Sequence, residues 1–407
     1  MELVALHQRV VGLDIHQAQI TACALLSQPD GSVQIERRQF GAFKRDRREL
    51  AQWVASLHPD EVVMESTGIY WKSPYAALEA AGIRAKVVNA RHVKNVPGRK
   101  TDMADAHWLA MLARAGLLRG SFVAPAHLRQ LRLVSRQRQK LVGQLASEKN
   151  RLHKVLTDAG VRLGVVVSDL HGQSARAMVK AIIAGKSVPE VLELASTRLR
   201  APREVLFEAL QGDVTPSHRF VLSELMAHIE ELEARIARFD NQLLAGLHEQ
   251  RNTLALLQTI PGIDLIGAAM LVVEIGSDMD VFGSAERLAS WVGMCPGNHE
   301  SAGKRKSGHM RKGNPYVRRL LCEFAHAASR TSCMFKARFQ AWVIRRGHKR
   351  AIVATGHKIL RTIFFMLKRG EHYRDSTTDY EEMSVRRNAP RWIRALIKFG
   401  FIAPAQA

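Results

Sequence analysis

Paired cysteines, a bilayer-length apolar run and enough acid to balance its bases are all lacking in this 407-residue sequence. The four cysteines, Cys23, Cys295, Cys322 and Cys333, show no C-x-x-C spacing. That excludes a disulfide frame and a thiolate zinc site, and predicts reduced, mostly buried thiols. The most apolar window, Leu265 to Val273, is stopped by Glu274 and is too short to cross a bilayer. No apolar leader precedes the first predicted strand, so the expected setting is a bacterial cytoplasm with no membrane partner. Acids number 38 against 60 Lys and Arg, a formal net charge of +22. A chain this basic usually meets a polyanion, and nucleic acid is the commonest one.

What is present is patterned. Apolar residues make up 46% of the chain, enough for two or three cored domains. Apolar or β-branched runs at 10–15 and 20–26 predict two strands. Pro29-Asp30-Gly31 predicts a turn, and the alternation from Val33 to Phe40 a third strand. Helical patterns then alternate with the short runs Glu61–Glu65 and Ala85–Val88. Hairpin-linked strands followed by α/β alternation predict an α/β, RNase H-like domain over residues 1–122.

From 123 to 250 the period changes. Leu131, Val134, Leu141, Leu145, Leu152 and Val155 form one heptad-like seam; Leu222, Leu225, Ile229, Leu232, Ile236, Phe239 and Leu243 form another. The spacing predicts a coiled coil or a long antiparallel helix pair, and an ordinary helical bundle fits it as well. Basic flanks that include Arg129, Arg132, Arg136 and Arg138 mark candidate nucleic-acid contacts.

Residues 251–372 read as a mainly α C-terminal domain. Thr259-Ile260-Pro261-Gly262-Ile263 with Gly267-Ala268 predicts a helix-hairpin-helix-like turn, whose small residues would let backbone amides reach DNA phosphate; Asp264 stands where glycine is common. The loop from Gly297 to Asn314 is glycine-rich and basic, with Lys304, Arg305, Lys306, Arg311 and Lys312 as candidate nucleic-acid contacts. Helices are predicted at Tyr316–Ser329, Lys336–Arg345 and Arg350–Lys368. The tail, 373–407, ends in a short basic helix pattern and is assigned no role.

Two constellations carry chemistry. Asp14 lies inside the apolar run Val10–Ile15, Glu65 ends the run Val62–Met64, and Asp102 and Asp105 open a helix three residues apart. A charge in an apolar strand is costly without a partner. A divalent cation resolves the cost and also binds phosphate, and two-metal phosphoryl transfer needs converging carboxylates. The second constellation is a serine in a cationic loop, where a hydroxyl can attack phosphorus while neighbouring bases hold the phosphate. Ser301 and Ser307 share that environment, and the residues leave the choice open. His16, His92 and His107 lie near the acids in sequence and read as structural or phosphate-facing groups rather than metal ligands.

Gly12-Leu13-Asp14, Glu65-Ser66-Thr67-Gly68 and Lys100-Thr101-Asp102-Met103-Ala104-Asp105-Ala106 resemble the RuvC-like domain of DEDD insertion-sequence transposases. Ile260-Pro261-Gly262-Ile263 and Glu300-Ser301-Ala302-Gly303 resemble that family's C-terminal transposase domain. The group is that of the bridge-RNA-guided recombinases, with the pilin-gene invertases as relatives. The resemblance reaches to about residue 370. It implies that Asp14, Glu65, Asp102 and Asp105 hold Mg2+ or Mn2+, and that Ser301 is the nucleophile. It also implies a noncoding bridge-type guide RNA, target and donor DNA as partners, and a homotetramer built from dimers with composite active sites, with 123–250 as the RNA-binding and oligomerisation region. Two other readings stay in view. One is a RuvC-like nuclease or junction resolvase that uses water; the other is a non-catalytic nucleic-acid-binding architectural protein.

Overall fold

The computed structural model describes residues 5–66, 68–89, 105–197, 199–295, 299–301, 304–307, 310, 312–375 and 380–403. The chain divides into two units at Ala126.

The first unit is built on a mixed sheet. Strands β1 (Arg9–Ile15), β2 (Gln19–Ser27) and β3 (Val33–Gly41) run antiparallel, while β4 (Glu61–Glu65) and β5 (Ala85–Val88) continue parallel to β1. The order β3-β2-β1-β4-β5 is that of an RNase H-like domain. Both faces are covered, which explains why the central strands read as near-continuous apolar runs. Val11, Leu13, Ile15, Val62 and Met64 pack against α1 (Lys44–Ser56) and α2 (Lys72–Ala80). Val10, Cys23, Leu25, Val63 and Val88 pack against α3 (Asp105–Arg114).

Helix α3 lies on β1 without a spacer. A Cβ on Gly12 would stand 2.2 Å from the Ala106 carbonyl oxygen and 2.6 Å from the Ala110 nitrogen. Only glycine permits that approach.

The second unit begins with α4 (Ala126–Asp158), followed by the short helices α5 (Leu163–Val166), α6 (Gln173–Ile183), α7 (Val188–Leu192) and α8 (Arg203–Leu210), and then the long α9 (Pro216–Gly246). Helices α4 and α9 run antiparallel. Gly246 abuts Leu131, Leu141 clusters with Leu232 and Ile236, and Leu152 and Leu156 share a core with Leu222, Met226 and Ile229. The two heptad-like seams therefore meet within one chain, with α6 to α8 completing the cluster at one end.

The remainder comprises α10 (Arg251–Gln258), α11 (Leu265–Ile275), α12 (Ala285–Val292), the hairpin β6 (His299–Ser301) and β7 (Lys304–Ser307), and then α13 (Pro315–Ala328), α14 (Met334–Arg346), α15 (His348–Arg369) and α16 (Tyr380–Lys398). Every residue of α11 from Gly267 to Ile275 is buried, as an all-round apolar helix requires. The turn between α10 and α11 differs from the sequence expectation. Asp264 caps α11, its Oδ1 accepting from the Gly267 N–H at 2.7 Å. Gly262 has φ +89°, and a Cβ there would lie 2.7 Å from the Ala328 nitrogen. Its small size thus serves a close approach to α13, not an open phosphate-binding surface. Among the four free cysteines only Cys23 is buried; the others are half-buried.

Candidate functional site

Strand register decides where the first two acids point. Leu13 pairs with Met64 across the parallel β1–β4 ladder, so Asp14 and Glu65 are the next residues at the carboxyl ends of two adjacent strands. Alternation turns both away from the α1/α2 core, onto the face covered by α3. Both are half-buried. Asp105 is the first residue of α3 and is exposed. Because Gly12 seats Ala106 directly on β1, the start of α3 lies over the strand that carries Asp14. An acid there also suits the helix dipole. The fold thus brings Asp14, Glu65 and Asp105 to one edge of one sheet face; Asp102 and His92 lie outside the described residues.

The donor set is hard carboxylate oxygen, which fits magnesium or manganese and not a soft-metal site. Among the described residues no group of three His, Cys, Asp or Glu is close enough to hold an ion. Two nearby histidines behave differently. The exposed His16 places Nε2 3.1 Å from Asp14 Oδ2. His107 is buried, and its Nδ1 is 3.2 Å from the Arg37 guanidinium. Burial, with help from the Arg37 charge, holds its pKa below the usual imidazole value. His107 is therefore a neutral acceptor inside the fold.

Ser301 ends β6 and pairs with Lys304, the first residue of β7, which reads Lys304-Arg305-Lys306-Ser307. Ser307 pairs with His299 at the other end of the hairpin. Arg311 lies outside the described residues; Lys312 is exposed.

The foot of this hairpin segment is pinned. The Asn314 N–H donates to the Trp291 carbonyl at 3.3 Å, and a Cβ on Gly313 would lie 2.4 Å from the Gly293 nitrogen. The Asn314 side-chain oxygen caps α13 by accepting from the Tyr316 and Val317 N–H groups, while its Nδ2 donates to Glu274 Oε2 at 2.7 Å. Glu274 is fully buried at the end of α11 and receives a two-pronged pair from Arg136, at 2.7 and 2.9 Å. Arg132 approaches its Oε2 at 3.5 Å and donates to the Val273 and Glu274 carbonyls. Burial pushes the Glu274 carboxyl up, but the Arg136 hydrogen bonds, the Arg136 and Arg132 charges and the Asn314 amide together hold it below the ordinary carboxylate range.

This network changes the reading of the basic flank on α4. Arg136 and Arg132 are engaged with Glu274, and Arg136 also lies 4.3 Å over the Tyr316 ring. Arg138 forms a two-pronged pair with Asp240 of α9. These three guanidiniums are therefore committed inside the unit instead of forming an open strip for phosphate. Arg129 is half-buried. Glu274 and Asn314 escaped sequence reasoning. The only signal was a carboxylate closing the most apolar run in the chain.

Comparison with known proteins agrees with the order of these parts. A DEDD transposase model of the IS110 type matches residues 11–160, and the model described as the IS116/IS110/IS902 family of transposases matches residues 254–340. The first range spans all four acids and the second spans Ser301. A probable family 20 transposase of Pseudomonas aeruginosa is 27% identical over 84% of this chain and 94% of its own length. The transposase for insertion sequence element IS1111A of Coxiella burnetii is 24% identical over 90% and 91%. The RuvC structure of Thermus thermophilus aligns over 28% of this chain and all of its own, at 13% identity and a TM-score of 0.22. The strand order, not that likeness, carries the fold. With both transposase regions matched in sequence order, and transposases aligned along most of this chain and of their own length, the chain belongs to the IS110 family of transposases.

Proposed function

We propose that this transposase is an RNA-guided DNA recombinase that mobilises its insertion sequence through a covalent serine intermediate. The observation that carries the reading is the placement of Asp14 and Glu65, each next after the paired residues Leu13 and Met64, at the ends of adjacent parallel strands on the face where α3 starts. Carboxylates in buried strands are kept there by a need for anionic oxygen. Asp14, Glu65, Asp102 and Asp105 would hold Mg2+ or Mn2+, which supplies charge neutralisation at the phosphate and at the departing oxygen. Ser301 Oγ would give up its proton and attack phosphorus. The P–O3′ bond breaks, the 3′ oxygen takes a proton, and the 5′ phosphate remains esterified to the serine. Attack by another 3′ hydroxyl reverses these steps and rejoins the strands without ATP. Lys304, Arg305 and Lys306, on the strand paired with that of Ser301, would hold the phosphate or its neighbours. Guide RNA, target and donor DNA, and a tetrameric assembly rest on the family resemblance.

The water-using nuclease is the second reading, because the acids alone suffice for it and Ser301 lies in the other unit. The two are separated by Ser301→Ala. On our reading, covalent protein–DNA adducts vanish from denaturing gels and recombination stops, while Asp14→Ala removes both as well. Undiminished recombination by the serine variant, or free 5′ phosphate ends from the wild type with no adduct, would transfer the assignment to the nuclease.

A further inference from the structure

We propose that a pocket beside Asp14 receives a single unstacked nucleobase of the DNA strand whose phosphate lies over the acids. The inference rests on the DNA-processing reading of that sheet edge, but not on the serine.

The pocket opens where β1 turns into β2, between the starts of α1 and α2, and has a volume of about 200 Å³. That is below the roughly 300–1,000 Å³ of sites that enclose drug-sized ligands. It suits one flat ring. Its walls are apolar: Ile15, Ile20 and Pro74 are all buried. Its edges carry hydrogen-bonding groups on Gln17, Arg47 and Ser73. A heterocyclic base has the matching form, with apolar faces and a polar rim.

The mouth is equally specific in character. Ile69 and Tyr70 line it, and both are large apolar side chains left exposed. Phe43, next to the lining residue Ala42, is 74% exposed. Exposed rings beside a narrow polar-edged slot are the usual platform for a base drawn out of its stack. The Tyr70 hydroxyl reaches Gln17 Oε1 at 3.4 Å, which closes one side of the slot.

Position ties the pocket to the chemistry. Ile15 faces the pocket from one side of the sheet, and Asp14, its chain neighbour, faces the acid site from the other. His16 lines the pocket while its Nε2 sits on the Asp14 carboxylate. A strand crossing this edge would present a phosphate to the acids and its base to the slot. Unstacking the base there would also fix which phosphate is aligned.

The test uses the full chain with the RNA that copurifies with it. Duplex oligonucleotides from the end of its insertion sequence would carry 5-iodo-deoxyuridine at successive positions, with matching 5-iodouridine in the RNA. After irradiation, cross-linked peptides are mapped. The expected result is one DNA position, next to the cleaved bond, joined to Tyr70 or His16. An abasic site at that position should weaken wild-type binding about tenfold and leave Tyr70→Ala unaffected, as loss of one stacked base predicts. Tyr70 is exposed, so the variant should keep the wild-type melting temperature.

Cross-links to the strand ends around Asp14 without any to the pocket would overturn the pocket and leave the DNA site standing. Cross-links to the pocket from RNA alone would overturn the DNA assignment. Equal abasic effects on wild type and Tyr70→Ala would also overturn it. Absence of any DNA cross-link in the first unit would overturn the pocket together with the DNA site.

Discussion

A fully buried carboxylate persists only where its charge is answered, and Glu274 is answered by Arg136, Arg132 and Asn314. Removing one member of such a set leaves the others buried and uncompensated, at about 3–5 kcal/mol. Glu274→Gln should therefore lower the urea-unfolding free energy by about 3 kcal/mol, and Asn314→Ala by less, because it deletes a neutral donor and a helix cap. Equal stability of Glu274→Gln and wild type would show that the network adds nothing. A second carboxylate gives a pH signature. The Arg176 hydrogen bond, reinforced by Lys149 and opposed by burial, lowers Glu233 from 4.5 to about 2. A depressed folded-state pKa stabilises above the unfolded value and is lost as pH falls through the folded one. The stability advantage of wild type over Glu233→Gln should thus be full above about pH 4.5 and shrink towards pH 2. Partial exposure of the pair limits it to about 1 kcal/mol. Urea titrations of both chains at stepped pH read this directly, and a constant difference would contradict it.

Elements explain what the sequence disclosed and what it withheld. The sheet was legible because its central strands had to be apolar on two covered faces, and Asp14 and Glu65 stood out against that background. Register then followed from parallel pairing of two short runs. The seams of α4 and α9 were legible as helices, but a heptad does not say whether its partner lies in the same chain. Arg132, Arg136 and Arg138 looked like a basic strip because nothing local reveals a carboxylate more than a hundred residues away. Gly262 signalled a close approach without naming what approaches. Gly12 was a stronger signal than it looked, since it sets α3 directly on β1 at Ala106 and Ala110. Gly12→Ala should destabilise the chain by about 1–3 kcal/mol through overpacking. It should also depress DNA cleavage beyond the loss of folded protein, because α3 must lift away from the strand. Cleavage rates normalised to the folded fraction check this; normal rates at reduced stability would detach the α3 seat from the site.

At the scale of the whole molecule, the acids and the serine fall in different units of the chain. Phosphoryl transfer requires the attacking oxygen and the carboxylates to meet at one phosphorus. Two chains could satisfy that condition by exchange, with the acids of one serving the serine of another, as the family resemblance implies. The alternatives differ in a mixture of two dead proteins. Asp14→Ala retains an intact serine hairpin, and Ser301→Ala retains an intact acid site. If each chain served its own serine, every site in a mixed oligomer would carry one defect, and the mixture would stay inactive. With shared sites, some pair the intact acids of one variant with the intact serine of the other. Co-expressed variants should then regain a measurable fraction of wild-type recombination, and the covalent adduct should form only on the Asp14→Ala chain, identifiable by a size tag. Adducts on neither chain, with both variants folded and co-assembled, would place acids and serine within a single subunit.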